Sequence, residues 1–127
     1  LRDYARIINE ANKPFVMHMC GHLKDILADI SRIDAAAIEA FTTPTLGNTE
    51  LIDGRTTCPD KCIIGGTNAL LLTQDAEAII EKIQQDLDTM PHHRGLVISS
   101  AGVMPPMAEP ETIKKVADWL KTYKVCV

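Results

Sequence analysis

The chain has 127 residues, 46% of them hydrophobic and 24% charged, with a net charge of −4 and a pI near 5.5. These values suit a folded domain rather than a disordered chain, argue against a general nucleic-acid binder, and leave no apolar run near the ~18 residues of a membrane helix. Cys20, Cys58, Cys62 and Cys126 are an even set, but a core of this size needs no disulfide staples and no export signal opens the chain, so free thiols in the cytoplasm are expected.

Leu1, Tyr4, Ala5, Ile7, Ile8 and Ala11 recur at helical spacing, so residues 1–12 read as an amphipathic helix, stopped at Asn12-Lys13-Pro14. Because Leu1 already lies inside that pattern, the chain is expected to be a piece of a longer protein. The apolar run Phe15 to Cys20, closed by Gly21, reads as a buried strand. Leu23, Ile26, Leu27, Ile30 and Ile33 return to helical spacing. The run Ala35 to Phe41 is alanine-rich and would suit a helix alone, but the rhythm of its neighbours makes it a strand. A Thr/Pro/Gly/Asn loop follows over Thr42 to Asn48, after which Asn48 or Thr49 is expected to cap a short helix that Asp53-Gly54 ends or interrupts.

Lys61 to Thr67 reads as the third strand, closed by glycines, and Asp75 to Met90 as the strongest helix, with Ala76, Ile79, Ile80, Ile83 and Leu87 in one stripe. A turn over Pro91 to Gly95 leads to a fourth strand, Leu96 to Ser100, and Glu111 to Tyr123 forms the last helix. One helix followed by four βα units is an α/β pattern with a parallel sheet and right-handed crossovers. It fits either a small doubly wound sheet or half of an eight-fold βα barrel, and the truncated start favours the half barrel. Either way, chemistry belongs at the carboxyl ends of the strands.

His18 and Cys20 stand two apart on one strand, which places an imidazole and a thiol on the same face. Both are zinc ligands. Glu39 interrupts the next apolar run near its carboxyl end, where a carboxylate is costly unless it is paired or coordinated. His18, Cys20 and Glu39 together would make a three-ligand metal site with an open fourth position, and without metal Glu39 would steer a proton, with His18, as a catalytic group. Gly65, Gly66, Thr67 and Asn68 at the third strand end, with Ser99, Ser100 and Gly102 at the fourth, are candidate substrate-binding residues: small, with backbone a ligand can approach and side chains that donate. No His or Asp is placed to activate Ser100, which argues against a serine hydrolase. Cys58, Cys62, His92 and His93 fall at the opposite ends of their strands.

The string His18-Met19-Cys20-Gly21-His22, the Asp34…Ile38-Glu39-Ala40-Phe41 segment, Gly65-Gly66-Thr67 and Ser99 to Pro106 together resemble the uroporphyrinogen decarboxylase superfamily. The resemblance covers almost the whole chain and corresponds to the carboxyl-terminal half of that family's (β/α)8 barrel, with the amino-terminal half absent. It looks closest to the branch of cobalamin-dependent methyltransferases that act with corrinoid proteins. That likeness implies methyl transfer between a corrinoid-bound methyl group and a thiol or pterin, with zinc held by His18, Cys20 and Glu39 and the cobalamin carried by a partner corrinoid protein. The late cysteine of such zinc sites has no counterpart in Ser100-Ala101-Gly102-Val103. The alternatives are decarboxylation of an acidic tetrapyrrole, as in porphyrin biosynthesis, and an inactive half barrel that pairs with a second copy as a homodimer to cover its sheet edges.

Overall fold

The computed structural model describes all 127 residues. Strands β1 (Val16–His18), β2 (Ala37–Thr42), β3 (Cys62–Thr67) and β4 (Leu96–Ile98) form one sheet, parallel throughout, in the order β1-β2-β3-β4. Each strand lies beside its predecessor in the chain, as in a wound βα barrel. A doubly wound sheet would reverse direction at a switch point. The fold is α/β and consistent with part of a (β/α)8 barrel.

The helices are α1 (Arg2–Glu10), α2 (Leu27–Ser31), α3 (Leu51–Thr57), α4 (Ala76–Asp88) and α5 (Pro110–Thr122). The alanine-rich run is indeed a strand: Ala37, Ile38 and Ala40 are buried in β2 between two neighbouring strands, and pairing overrides the helical preference of alanine. The stripe expected over residues 23–33 begins with a 3-10 turn, Lys24–Ile26, before α2. The expected cap of α3 is corrected. Asn48 and Thr49 lie outside the helix, and Glu50 caps it in a reciprocal pair with Asp53. Gly54 does not end α3 either, since the helix runs on to Thr57. A Cβ at Gly54 would stand 2.6 Å from the Phe41 ring, so the glycine lets the helix lie against β2. The fourth strand is shorter than expected, ending at Ile98, although the Ser99 N–H still bonds the Gly65 carbonyl.

Alternation along the strands separates two faces. Met17, Ile38 and Ile63 point into a core built with Ala5, Leu23, Leu27, Ile30 and Leu51 from the helix side. A second cluster joins Ile79, Ile83 and Leu87 of α4 to Val116 of α5. The opposite face carries Val16, His18, Glu39, Ile64 and Val97, with Val16 and Val97 exposed. The β2–β3 register shifts between Ile38 and Phe41, with Ala40 at φ 60°, as a β-bulge produces. The extra residue leaves Glu39 facing out yet returns Phe41, fully buried, to the core.

At the amino ends of the strands the buried Arg55 guanidinium donates to the carbonyls of Pro59, Lys61, Arg94 and Gly95, tying the starts of β3 and β4 together. Lys61 Nζ likewise donates to the Ile33 carbonyl at 2.6 Å, on the approach to β2. No helix is long and apolar enough to cross a membrane.

Candidate active site

His18 ends β1 and Glu39 lies opposite it in the β1–β2 register. Their neighbours Met17 and Ile38 are anchored in the core, so both polar side chains are turned to the open face. There His18 Nδ1 and Glu39 Oε2 meet at 2.5 Å. With Glu39 ionised the carboxylate only accepts, so Nδ1–H is the donor and Nε2 is left without a protein partner. The pair is half open to solvent, with side-chain exposures of 65% and 34%. A carboxylate that fixes one imidazole nitrogen and leaves the other free is the arrangement of a positioned general base.

Cys20 lies past the end of β1. The last ladder bond of that strand is Met19 N–H to the Glu39 carbonyl, and Gly21 then turns the chain at φ 84°. Cys20 is therefore exposed, and strand pairing no longer fixes its direction. The loop is held from the other side. The Gly21 N–H donates to Thr42 Oγ1, the Lys24 N–H donates to Asn48 Oδ1, and Gly47 packs where a Cβ would stand 1.8 Å from the Thr42 carbonyl oxygen and 3.1 Å from that of Gly21. Sequence reasoning missed Thr42, Gly47 and Asn48 as supports. The Thr/Pro/Gly/Asn composition signalled a loop but not the loop it grips.

The third strand end is occupied by its own architecture. A Cβ at Gly65 would stand 2.5 Å from the Phe41 carbonyl oxygen, and one at Gly66 3.0 Å from Leu51, so both glycines serve close packing around β3. Asn68 is buried; it donates to the Pro44 carbonyl at 2.6 Å and accepts from the Leu71 N–H. Thr67 Oγ1 donates to the Ser99 carbonyl at 2.6 Å, joining the tops of β3 and β4. Thr67, Ser99 and Ser100 line a small apolar hollow of about 160 Å³ beneath α5, with Ile83 and Val116 among its walls. Gly102 lies in the open loop beyond it, where a Cβ would meet nothing within 4 Å. The structure thus brings His18 and Glu39 together, and it groups Thr67 with Ser99 and Ser100 in a hollow that neither His18 nor Glu39 lines.

The family model for uroporphyrinogen decarboxylase (URO-D) matches residues 1–123. The chain belongs to the uroporphyrinogen decarboxylase family. No curated protein matches it. Members of the URO-D family are enzymes, which makes the His18–Glu39 pair a candidate for chemistry rather than a surface ion pair.

His18 and Glu39 are bonded to each other, and no three His, Cys, Asp or Glu side chains converge into a group able to hold a metal ion.

Proposed function

We propose that this URO-D family chain contributes the acid–base centre of a methyl transfer from a corrinoid, carried by a separate protein, to a thiol. A corrinoid supplies an electrophilic methyl group. The acceptor must present its sulfur as a thiolate, because the thiolate and not the thiol is the nucleophile. His18 Nε2 accepts the thiol proton, and Glu39 holds the imidazole through Nδ1 and stabilises the imidazolium that results. The thiolate sulfur would then form its bond to the methyl carbon as the carbon–cobalt bond breaks, the electron pair of that bond leaving with the corrinoid, and His18 would pass its proton to water. None of these steps requires a metal held by the chain.

The observation that carries this reading is the carboxylate-backed imidazole with Nε2 open at a strand end. Decarboxylation of an acidic tetrapyrrole is the second reading, favoured by the description of the matching family. One experiment separates them: the protein is incubated with methylcobalamin and a small thiol, and in parallel with a porphyrinogen. Loss of the methyl–cobalt absorbance with formation of the thioether supports methyl transfer. Carbon dioxide release from the porphyrinogen, without thiol methylation, supports decarboxylation.

A further inference from the structure

The segment after α5 returns to the amino end of the sheet and lies against the turn before β4. Two hydrogen bonds to His93 hold it, with a longer one from the Cys126 thiol to the Pro91 carbonyl. The His93 N–H donates to the Cys126 carbonyl at 2.6 Å, and the Cys126 N–H donates to His93 Nδ1 at 2.8 Å. The other ring nitrogen, Nε2, lies 3.1 Å from the Leu87 carbonyl in the last turn of α4. A backbone N–H can only donate and a carbonyl can only accept, so the two ring contacts assign both nitrogens. Nδ1 carries the lone pair, Nε2 carries the proton, and the imidazole is neutral.

We infer that His93 is a pH-operated latch for the tail Lys124 to Val127: the neutral ring holds the tail, and the protonated ring releases it. Adding a proton at Nδ1 turns the acceptor into a donor pointing at the Cys126 N–H. That bond is lost and replaced by two opposed donors. The Leu87 bond survives protonation, so the ring stays in place while its grip on the tail fails. Of the ordinary side chains, the imidazole is the one able to act as either acceptor or donor at the same nitrogen by gaining one proton.

The groups around the ring permit this. Tyr123 of α5 packs edge-on at 5.6 Å between ring centroids. Its hydroxyl donates to Asp88 at the end of α4, which occupies that carboxylate away from the imidazole. Cys126 Sγ is 3.9 Å from the Pro91 carbonyl, and the chain neighbours are His92 and Arg94. Among these, only His93 makes the contact that a single proton reverses. Release has a structural consequence, because Val125 lines one side of a mostly apolar hollow of about 240 Å³ with Leu87, His93, Leu96, Leu120 and Tyr123. Acidification would open that hollow at the amino end of β4, remote from His18 and Glu39.

Amide hydrogen exchange of the intact chain, read by NMR at several pH values from 8 to 5.5 and corrected for the intrinsic rate, tests this. Protection of the Cys126 amide should fall about tenfold, the loss of one hydrogen bond. The fall should track the titration of the His93 ring, while amides of α4 keep their protection. His93→Asn, which keeps an acceptor atom at the Nδ1 position but does not titrate, should hold the tail equally at both ends of the range. Protection of Cys126 that changes less than twofold in the natural chain overturns the latch. A His93→Asn tail that loosens on acidification as the natural one does also overturns it, since another group would then be the switch.

Discussion

His18 Nδ1 and Glu39 Oε2 lie 2.5 Å apart across the β1–β2 pairing, on residues that are register partners. The backbone ladder sets their approach before any side chain rotates, so the pair is a property of the register. Nδ1 is committed to the carboxylate, and Nε2 is presented to whatever occupies the strand ends. Nitrogen-15 NMR of the ring at pH 8 should therefore show the Nδ1–H tautomer, whereas free histidine favours the other. Glu39→Gln should weaken that preference. A ring protonated on Nε2 in the natural chain would contradict the assignment.

Metal binding gives an independent check on the same residues. With His18 engaged by Glu39 and Cys20 beyond the strand end, zinc titrated into the metal-free chain and followed by calorimetry should find no stoichiometric tight site. A single tight site abolished by Cys20→Ala would restore the three-ligand centre that the sequence suggests.

The two strand-end loops should be sensitive at Gly47. Its missing Cβ would stand 1.8 Å from the Thr42 carbonyl oxygen, on backbone that cannot yield as a side chain would. Gly47→Ala should therefore lower stability by about 2 kcal/mol in urea unfolding and loosen the Gly21 and Lys24 amide bonds. A variant as stable as the natural chain would show that the loops are not packed as described.

At the opposite end, Arg55 is 4% exposed and donates to four carbonyls with no carboxylate nearby to replace. Arg55→Met should cost about 3 kcal/mol through carbonyls left without donors. Arg55→Lys should recover little, because one ammonium cannot span the four carbonyls that a planar fork reaches. Full recovery with lysine would show that charge alone matters there.

Burial pushes the Cys58 thiol above its ordinary value of 9.0, against the opposing pull of Lys61 and Arg55. The folded state thus holds this proton to higher pH than the unfolded chain does. The stability it contributes is complete below pH 9.0 and is lost as pH rises toward the folded value. Cys58→Ala should flatten the alkaline decline in chemical unfolding measured from pH 8 to 10.5. An unchanged alkaline slope would place the decline elsewhere. At pH 8 a thiol reagent should label Cys20 and Cys126, both exposed, well before the buried Cys58.

Much of the fold is legible from periodicity. Ile79, Ile83 and Leu87 announce α4, and Phe15 to Cys20 announces a strand because the run is short and flanked by breakers. The His18–Glu39 meeting is legible too, since a polar residue in each of two neighbouring apolar strands needs a partner. What escapes the sequence depends on tertiary shape. Gly54 looks like a helix end but answers to the Phe41 ring. Nothing in the sequence tells that the missing Cβ of Gly65 admits the β2 backbone at Phe41. Cys20 follows the two-residue alternation only while the strand lasts, and the strand stops at His18. The role of His93 could not be read at all, because its partner, Cys126, is 33 residues away.

The most direct test of the central claim compares the rate of methyl transfer from methylcobalamin to a thiol in the natural protein and in His18→Gln, with circular dichroism confirming that both are folded. The His18–Glu39 centre predicts thioether formation by the natural protein and a fall of about 10²- to 10⁴-fold in the variant. Equal rates in the two proteins, or no methyl transfer alongside porphyrinogen decarboxylation, would contradict it.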